Sequence, residues 1–598
     1  MYFTNLFTCC IPNCFIKFRL KTNNNLKIKL YKEKLAIIIF IFILYSLITI
    51  YALYFSWYYC TNIIDIINNN IDNYNYNNNG LLSKNTDFCY IYDIILIIYI
   101  IILIFTLFLN IIIGIITDYY HKYKLYKYKK NININDEKII INIPLYNEDY
   151  ETIKLTIDSI INCNYTKEQL KLFIVVDGII FPKNSNNSTD YILLHDLFQN
   201  DSYNNNNNTY QYLDNTLSIY NGYYKNVEYN VIVKDKNKGK RDSQLLFYQF
   251  INYINNNCEK NELFDKLYNN ISNINEFNYM LIIDCDTEIE KNSLRLLLQY
   301  LQNHKQCISV CGQTVVKNAN INIITYIQVY EYWISHLLLK NFESFMYNTL
   351  VMSGCFSLIR LKYDNKLIVN NNIIQKFSEV PTNLHTSNLI HIGEDRYLTS
   401  LMLQEHPNNT IKYLSNAYCS TNVPESLSIL LCQRRRWTNS LIHCLFLLFK
   451  NPPNINNKFK KFKLYYIILL ELMIIFILPI IIVIGLINTI ISMTVQGFSY
   501  ISFIITMIVL LLNLIIAILS FNINKIPYFI PFLLTLPIFS IYIPLYSIFN
   551  MDNIKWGKTR EINEHIEIIS NNLPRDNINN MINLLNSTNQ QYHSITSP

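Results

Sequence analysis

Met280-Leu281-Ile282-Ile283-Asp284-Cys285-Asp286 decides the fold: four apolar residues ending on two carboxylates. A run this short and this apolar reads as a strand buried on both faces. Carboxylates at i and i+2 just past such a strand can hold a hard divalent cation against a diphosphate. A lone D-x-D is common, and its plain alternative is a solvated turn.

Working outward, three more segments have the same character. Lys138–Asn147 (KIIINIPLYN) reads as a buried strand that stops at Pro144 and opens into a loop. Leu172–Val176 is a second, ending in Asp177-Gly178, and Tyr229–Val233 is a third. Glu151–Ile161 between the first two has apolar residues at helical spacing. Strands alternating with helices predict a mostly parallel sheet with flanking helices, whose ligands bind at the strands' carboxyl ends. The Asn-rich stretches 184–226 and 255–278 read as loop insertions, which loops tolerate because closure costs grow slowly with length.

Three further motifs carry chemistry. Gly239-Lys240-Arg241-Asp242-Ser243-Gln244 follows the strand at 229–233 and opens a helix, a place where cations and backbone N–H groups can meet an anion; the alternative is an ordinary charged helix start. Asp395 sits between Glu394 and Arg396 ahead of the helical stretch Tyr397–Leu403. Held near an arginine, it stays ionised and can accept a proton, or it simply satisfies a helix N-terminus. Gln433-Arg434-Arg435-Arg436-Trp437 lies in apolar surroundings, with Ile429-Leu430-Leu431 before it and Leu441 to Phe449 after. Guanidiniums against such a surface need an anionic partner, and arginine meets phosphate oxygens as a planar fork. A tryptophan beside them offers a face for a sugar ring, so the combination points to a nucleotide-sugar enzyme.

The chain's 598 residues carry a net charge of +7. Leu35–Tyr58, Ile94–Ile116, Leu464–Ile490, Ile501–Phe521 and Ile526–Phe549 each approach the roughly 20 apolar residues that cross a bilayer. Lysine-rich flanks, Lys17 to Lys34 and Lys122 to Lys130, bracket the first two, and the intervening loop has Asp65, Asp72 and Asp87. The positive-inside rule then puts residues from about 121 to 463 in the cytosol. The positive charge is mostly juxtamembrane and suits anionic lipid; no nucleic-acid motif accompanies it. Cys163, Cys258, Cys285, Cys307, Cys311 and Cys355 lack metal-ligand spacing and read as reduced and structural, whereas Cys60 and Cys89 share the outward loop and could be bridged. Thr438–Phe449, with Lys458, Lys460, Lys461 and Lys463 following, reads as a segment at the cytosolic membrane face; a buried core helix is the alternative.

Taken in order, the motifs resemble one family, the chitin synthases, processive membrane glycosyltransferases of family 2. The series runs through Asn147-Glu148, Asp177-Gly178, GKRDSQ, Asp284-Cys285-Asp286, Cys311-Gly312, Glu331–His336 (EYWISH), Glu343-Ser344, Gly354–Ser357 (GCFS), Gly393–Thr399 (GEDRYLT) and Gln433–Trp437, and ends at Trp556-Gly557-Lys558-Thr559. The resemblance implies an α/β GT-A glycosyltransferase domain joined to an α-helical transmembrane bundle. It implies transfer of GlcNAc from UDP-GlcNAc to the 4-hydroxyl of a growing β-1,4-linked chitin chain, with a divalent cation, Mg2+ or Mn2+, as cofactor. Asp395 would be the general base, with Glu394 and Arg396 beside it. Asp177 would contact uridine, Lys240 would support the donor, and Asp284 and Asp286 would bind the diphosphate, Asp286 through the metal. Asn147, Glu148, Gly354 and Cys355 would bind substrate, and Gln433, Arg434, Arg435, Arg436 and Trp437 would line the acceptor and leaving-group site. Trp556, Gly557, Lys558 and Thr559 would form a gating or substrate-side motif.

The division expected is a basic segment 1–34, two spans within 35–120, a catalytic domain 121–437, interfacial helices 438–463, about three spans within 464–550 and a tail 551–598. Partners are UDP-GlcNAc, the chitin chain and the lipid bilayer, with homo-oligomerisation left open. The plasma membrane, reached through secretory vesicles, is the expected location. Ile526–Phe549 contains Pro527, Pro531, Pro537 and Pro544, so a re-entrant or broken segment there would return the tail to the catalytic side. Other readings are a cellulose- or hyaluronan-type synthase, a non-catalytic scaffold derived from a synthase, and an inactive paralogue with long insertions.

Overall fold

The computed structural model describes residues 137–476 except 183–184, 186, 201–208, 213, 257–261 and 271–276, and beyond them 30, 33–37, 112–121, 123, 518 and 523–554. The strands are β1 (Ile139–Leu145), β2 (Leu170–Asp177), β3 (Thr209–Tyr212), β4 (Asn215–Tyr224), β5 (Val227–Lys234), β6 (Tyr279–Ile283), β7 (Thr287–Ile289), β8 (Cys307–Val316), β9 (Phe356–Arg360), the small hairpin β10 (Lys362–Tyr363) and β11 (Lys366–Leu367), and β12 (Thr410–Thr421). All but the hairpin join one sheet in the order β3-β4-β5-β2-β1-β6-β9-β8-β12-β7. The half that builds the site, β5-β2-β1-β6, is parallel throughout. The antiparallel β9 then links it to the parallel pair β8 and β12.

Alternate residues of these strands go to opposite cores, which is why the runs are apolar without a polar face. Ile140, Phe173, Val175 and Ile232 pack on one face with Leu246, Phe247 and Phe250 of α2, while Ile139, Ile141, Leu172 and Ile174 pack on the other with Ile153, Ile157 and Ile160 of α1. Here α1 is Tyr150–Ile161, capped by the Asp149 carboxylate, which accepts from the Thr152 N–H at 3.1 Å, and α2 is Lys240–Asn256.

Three expectations are corrected, the first being the stretch 255–278, which is not merely loop but holds the helix Glu262–Asn270 with Leu263, Phe264 and Leu267 buried. The first strand runs on through Pro144 to Leu145, because pairing with β6 ends at Asn142 and only β2 flanks it there. The Asn-rich stretch 184–226 is not merely loop: β3 and β4 extend the sheet from it, with Leu217, Ile219 and Tyr220 buried. Asparagine surrounding those few apolar residues hides their alternation. Residues 204–208 and Cys258 lie outside the described residues.

The remaining helices that matter are α3 (Ile323–Ile334), α4 (Leu384–Ile392), α5 (Glu394–Glu405), α6 (Leu427–Lys450), α7 (Lys458–Phe476), α8 (Ile526–Pro537) and α9 (Ile543–Phe549). α6 runs unbroken across the expected boundary at 437/438. It buries Ile442, Leu445 and Leu448, while Phe446 and Phe449 near its end are exposed. At the start of α7, Phe459 and Phe462 are exposed among the lysines.

Among the described residues no single helix is long and apolar enough to cross a membrane. Most of the apolar segments 35–58, 94–116, 464–490 and 501–521 lie outside them, as do Cys60, Cys89 and residues 556–559. The segment 526–549 is described, and it is broken: Ile523–Thr535 and Ile538–Phe549 meet at 59°, with Pro537 at the bend. Both arms pack on the helices that flank the sheet, α8 on α3 and α9 on α6. Tyr528 meets Tyr326 at 4.3 Å between ring centres, Phe532 meets Tyr330 at 5.1 Å, and Asn439 donates to the Ser547 carbonyl at 2.8 Å. The outer side exposes Ile530, Leu534, Tyr542 and Phe549.

Candidate active site

The site lies beyond the carboxyl ends of the parallel strands. β1 delivers Asn147 and Glu148; the Glu148 carboxylate accepts the N–H groups of Tyr146 and Asn147 at 2.8 and 2.9 Å, which fixes the loop. The Asn147 side-chain oxygen is buried with no hydrogen-bond partner among the described residues, an acceptor awaiting a donor. Asp177, at the end of β2, is 3% exposed and fully engaged. It accepts from the backbone N–H of Lys238 at 3.0 Å and of Gly239 at 2.7 Å, and pairs with Lys234 Nζ at 2.5 Å. Lys234 also pairs with Asp242 at 2.8 Å. Asp177 therefore shapes the loop that opens α2. Gly178 has φ +89°, and a Cβ there would come within 2.9 Å of the Asn237 nitrogen, so both conformation and space demand glycine.

Lys240, the first residue of α2, draws three distant motifs together. Its ammonium lies 2.6 Å from Asp284 Oδ1 and 3.4 Å from Glu394 Oε1. Burial works against its charge, but Asp284, Glu394 and Asp395 together hold its pKa above the ordinary lysine range. Asp284 shows the reverse balance. Desolvation pushes it up to about 6, Lys240 pulls it back, and Asp286 adds repulsion. The Asp284 side chain retains 32% of its surface.

Asp395 occupies the first turn of α5. The Arg396 N–H donates to its Oδ1 at 2.8 Å, and Arg396 Nη1 lies 3.5 Å from the same oxygen. Its other side runs along Gly354: a Cβ there would lie 3.1 Å from Asp395 Cβ and 3.2 Å from Oδ2. Cys355 follows, its sulfur 3.4 Å from Thr314 Oγ1. Like Cys307 and Cys311, it is a free thiol.

The three arginines do not converge. Successive residues on a helix point about 100° apart, and each of these meets a different partner. Arg434 forms a two-pronged pair with Glu331, Nε to Oε1 at 2.9 Å and Nη2 to Oε2 at 2.6 Å. It also donates to Gln433 Oε1 at 2.5 Å. Arg435 is buried and donates to the Asn553 carbonyl. Arg436 is buried, and burial lowers its pKa while the charges of Glu394, first, and Asp395 oppose the shift. Trp437 has the Arg434 guanidinium over its ring at 4.2 Å, that of Arg396 at 6.0 Å, and the Tyr332 ring edge-on at 6.0 Å.

A divalent cation fits the donor set. No group of three or more His, Cys, Asp or Glu side chains that could hold a metal occurs among the described residues. Asp284 and Asp286 offer two partly exposed carboxylates at one strand end, which suits an ion that takes its other ligands from phosphate and water. Lys234 and Glu331 were not singled out as site residues from the sequence. The signal for Lys234 was a lysine closing an apolar strand, and Glu331 opened a motif already in view.

The family model described as chitin synthase matches residues 113–581. Chitin synthase 6 of Mycosarcoma maydis is 31% identical over 461 residues, covering 72% of this chain and 39% of that protein. Chitin synthase E of Aspergillus fumigatus is 32% identical over 468 residues, covering 73% of this chain and 25% of that protein. The chain thus spans about a quarter to two-fifths of the length of these relatives. A solved mannosyltransferase from Pyrobaculum calidifontis, in complex with GDP-Man and Mn2+, aligns over 71% of this chain and 98% of its own at 12% identity, with a TM-score of 0.38, a likeness that carries no argument.

Proposed function

The chain belongs to the chitin synthase family, and on that premise we propose that it transfers GlcNAc from UDP-GlcNAc to the 4-hydroxyl of a growing β-1,4-linked chain and passes the polymer across a membrane. The observation that carries the proposal is the Lys240 ammonium, which pairs with both Asp284 and Glu394 and so brings the strand end at Asp284 to the helix start that carries Asp395.

In this reading Asn147 accepts a hydrogen bond from the nucleotide, and Asp177 acts by holding the Lys238–Gly239 backbone in place. Asp284 and Asp286 hold a divalent cation, Mg2+ or Mn2+, which when bound neutralises diphosphate charge. Lys240 and Arg436 add fixed positive charge where UDP departs, in a site that needs no reorganisation to supply it. Asp395 takes the proton of the acceptor hydroxyl as that oxygen attacks the sugar's anomeric carbon from the side opposite UDP, inverting the configuration. Trp437 carries the terminal sugar and keeps it in line for that attack. The exposed Phe446, Phe449, Phe459 and Phe462, beside Lys458, Lys460, Lys461 and Lys463, support seating of α6 and α7 on the cytosolic face of the plasma membrane.

The test is incorporation of radiolabelled UDP-GlcNAc into chitinase-sensitive polymer by the detergent-purified chain, with and without EDTA. Polymer that EDTA abolishes is the expected result. Incorporation from UDP-glucose or UDP-glucuronate instead would replace the substrate, and silence with every donor by folded protein would overturn the activity.

A further inference from the structure

Arg434 leaves α6 toward α3. Its guanidinium meets both oxygens of Glu331 as parallel forks, and Nη2 also lies 3.4 Å from Gln328 Oε1 on the same helix. Its carbon sits 4.2 Å from the centre of the Trp437 ring, one helical turn further along α6. A planar guanidinium against an indole gains both cation–π attraction and stacking. Tyr332, next to Glu331 in the chain, reaches the same indole edge-on. Two consecutive residues of α3 therefore constrain one tryptophan, Tyr332 directly and Glu331 through Arg434.

The pair is not an ordinary surface bridge. The Arg434 side chain is 5% exposed and that of Glu331 22%, so removing the carboxylate strands a buried cation. Only the neutral acceptors Gln433 Oε1 at 2.5 Å and Gln328 Oε1 at 3.4 Å then remain, and they hold a guanidinium less firmly than the two-pronged carboxylate does. The indole would then lose the plate against which it rests.

We infer that Glu331 is a positioning residue for the acceptor sugar. It holds the Arg434 guanidinium over the Trp437 ring, so that the indole offers the chain end one fixed surface through successive additions. This rests on the reading that Trp437 carries the acceptor. It also removes Arg434 from the donor diphosphate, leaving Lys240 and Arg436 as the cations of the donor side.

The experiment compares the full chain with Glu331→Gln and Arg434→Lys, and places Glu331→Gln also in a Trp437→Ala background. UDP affinity, initial sugar transfer and product length are read for each. Gln keeps the shape of Glu331 without its charge, and Lys keeps the charge of Arg434 without its planar fork. Both single variants should bind UDP as the unmodified chain does, yet elongate up to about a hundredfold more slowly, the scale of a displaced reacting group. In the Trp437→Ala background, Glu331→Gln should cost nothing more, because its effect passes through the indole. Normal product length in both single variants overturns the inference. So does a further loss in the Trp437→Ala background, which marks a general structural role. If Glu331→Gln fails to fold and bind UDP, Arg434→Lys decides by the same readouts. An unmodified chain that binds UDP but makes no polymer overturns the functional reading itself, and the acceptor role with it.

Discussion

Lys240 and Asp284 meet at 2.6 Å, and the same ammonium lies 3.4 Å from Glu394, so one side chain ties together three motifs that lie far apart in the chain. Without that cation Asp284, Asp286, Glu394 and Asp395 would repel one another and any incoming diphosphate. Lys240→Met should therefore reduce sugar incorporation by about a hundredfold, the scale of losing one preorganised charge contact. Lys240→Arg should restore part of it. Measured rates for the two variants check this; equal activity of Lys240→Met and the unmodified chain would dismiss the role.

Asp395→Asn keeps the shape of the side chain and removes its basicity. Polymer synthesis should fall by roughly 10²–10⁴, with UDP-GlcNAc affinity largely kept. Titration of the donor beside the activity assay separates the two quantities. Full activity would take Asp395 out of the mechanism.

Gly354→Ala probes the same carboxylate from its other side. The added methyl would lie 3.1–3.2 Å from Asp395 Cβ and Oδ2, so the carboxylate must yield by a few tenths of an ångström. The turnover rate should drop while the melting temperature and UDP affinity hardly move. A variant that loses stability but keeps its turnover would contradict this.

His336 is buried, and desolvation, reinforced by Lys340, lowers its pKa to about 3 from 6.5. Its Nδ1 lies 2.7 Å from the Tyr332 carbonyl, and Nε2 has no partner among the described residues. The folded state holds this ring neutral while the unfolded chain protonates it. Stability should therefore be intact above pH 6.5 and fall as the pH drops toward 3, by up to about 1.4 kcal/mol per pH unit. Thermal melts at pH 7, 6 and 5 should show a flatter acid slope for His336→Phe than for the unmodified chain. Identical slopes would show that His336 contributes nothing to acid sensitivity.

The broken helix pair α8–α9 begins and ends on the catalytic domain. Asn388 donates to the Met551 carbonyl at 3.0 Å, Arg435 to that of Asn553, and Asp552 pairs with Lys34 at 2.7 Å. A bent pair seated on the same domain at both ends is expected to re-enter rather than to span, so the tail should stay on the side of that domain. The sequon Asn586-Ser587-Thr588 should then remain unglycosylated in the native host. Glycan at Asn586, detected by mass spectrometry, would reverse the topology.

Short apolar runs ending in Asp177 and in Asp284-Cys285-Asp286 determined the strands of the parallel half, because a strand buried on both faces has no polar positions to disguise it. Sequence motifs also identified Lys240, Asp395 and Trp437 as the residues to watch. The hairpin β3–β4 escaped notice, since a handful of apolar residues within an Asn-rich stretch carry little periodic signal.

What only the tertiary structure decided is which charge meets which. Three consecutive arginines read as one anion-binding cluster, yet helix geometry sends them to Glu331, to Asn553 and toward Glu394 and Asp395. Local sequence fixes the direction in which each side chain leaves its helix. Its partner is set by packing between elements from about 40 to 118 residues apart, and no local pattern encodes that.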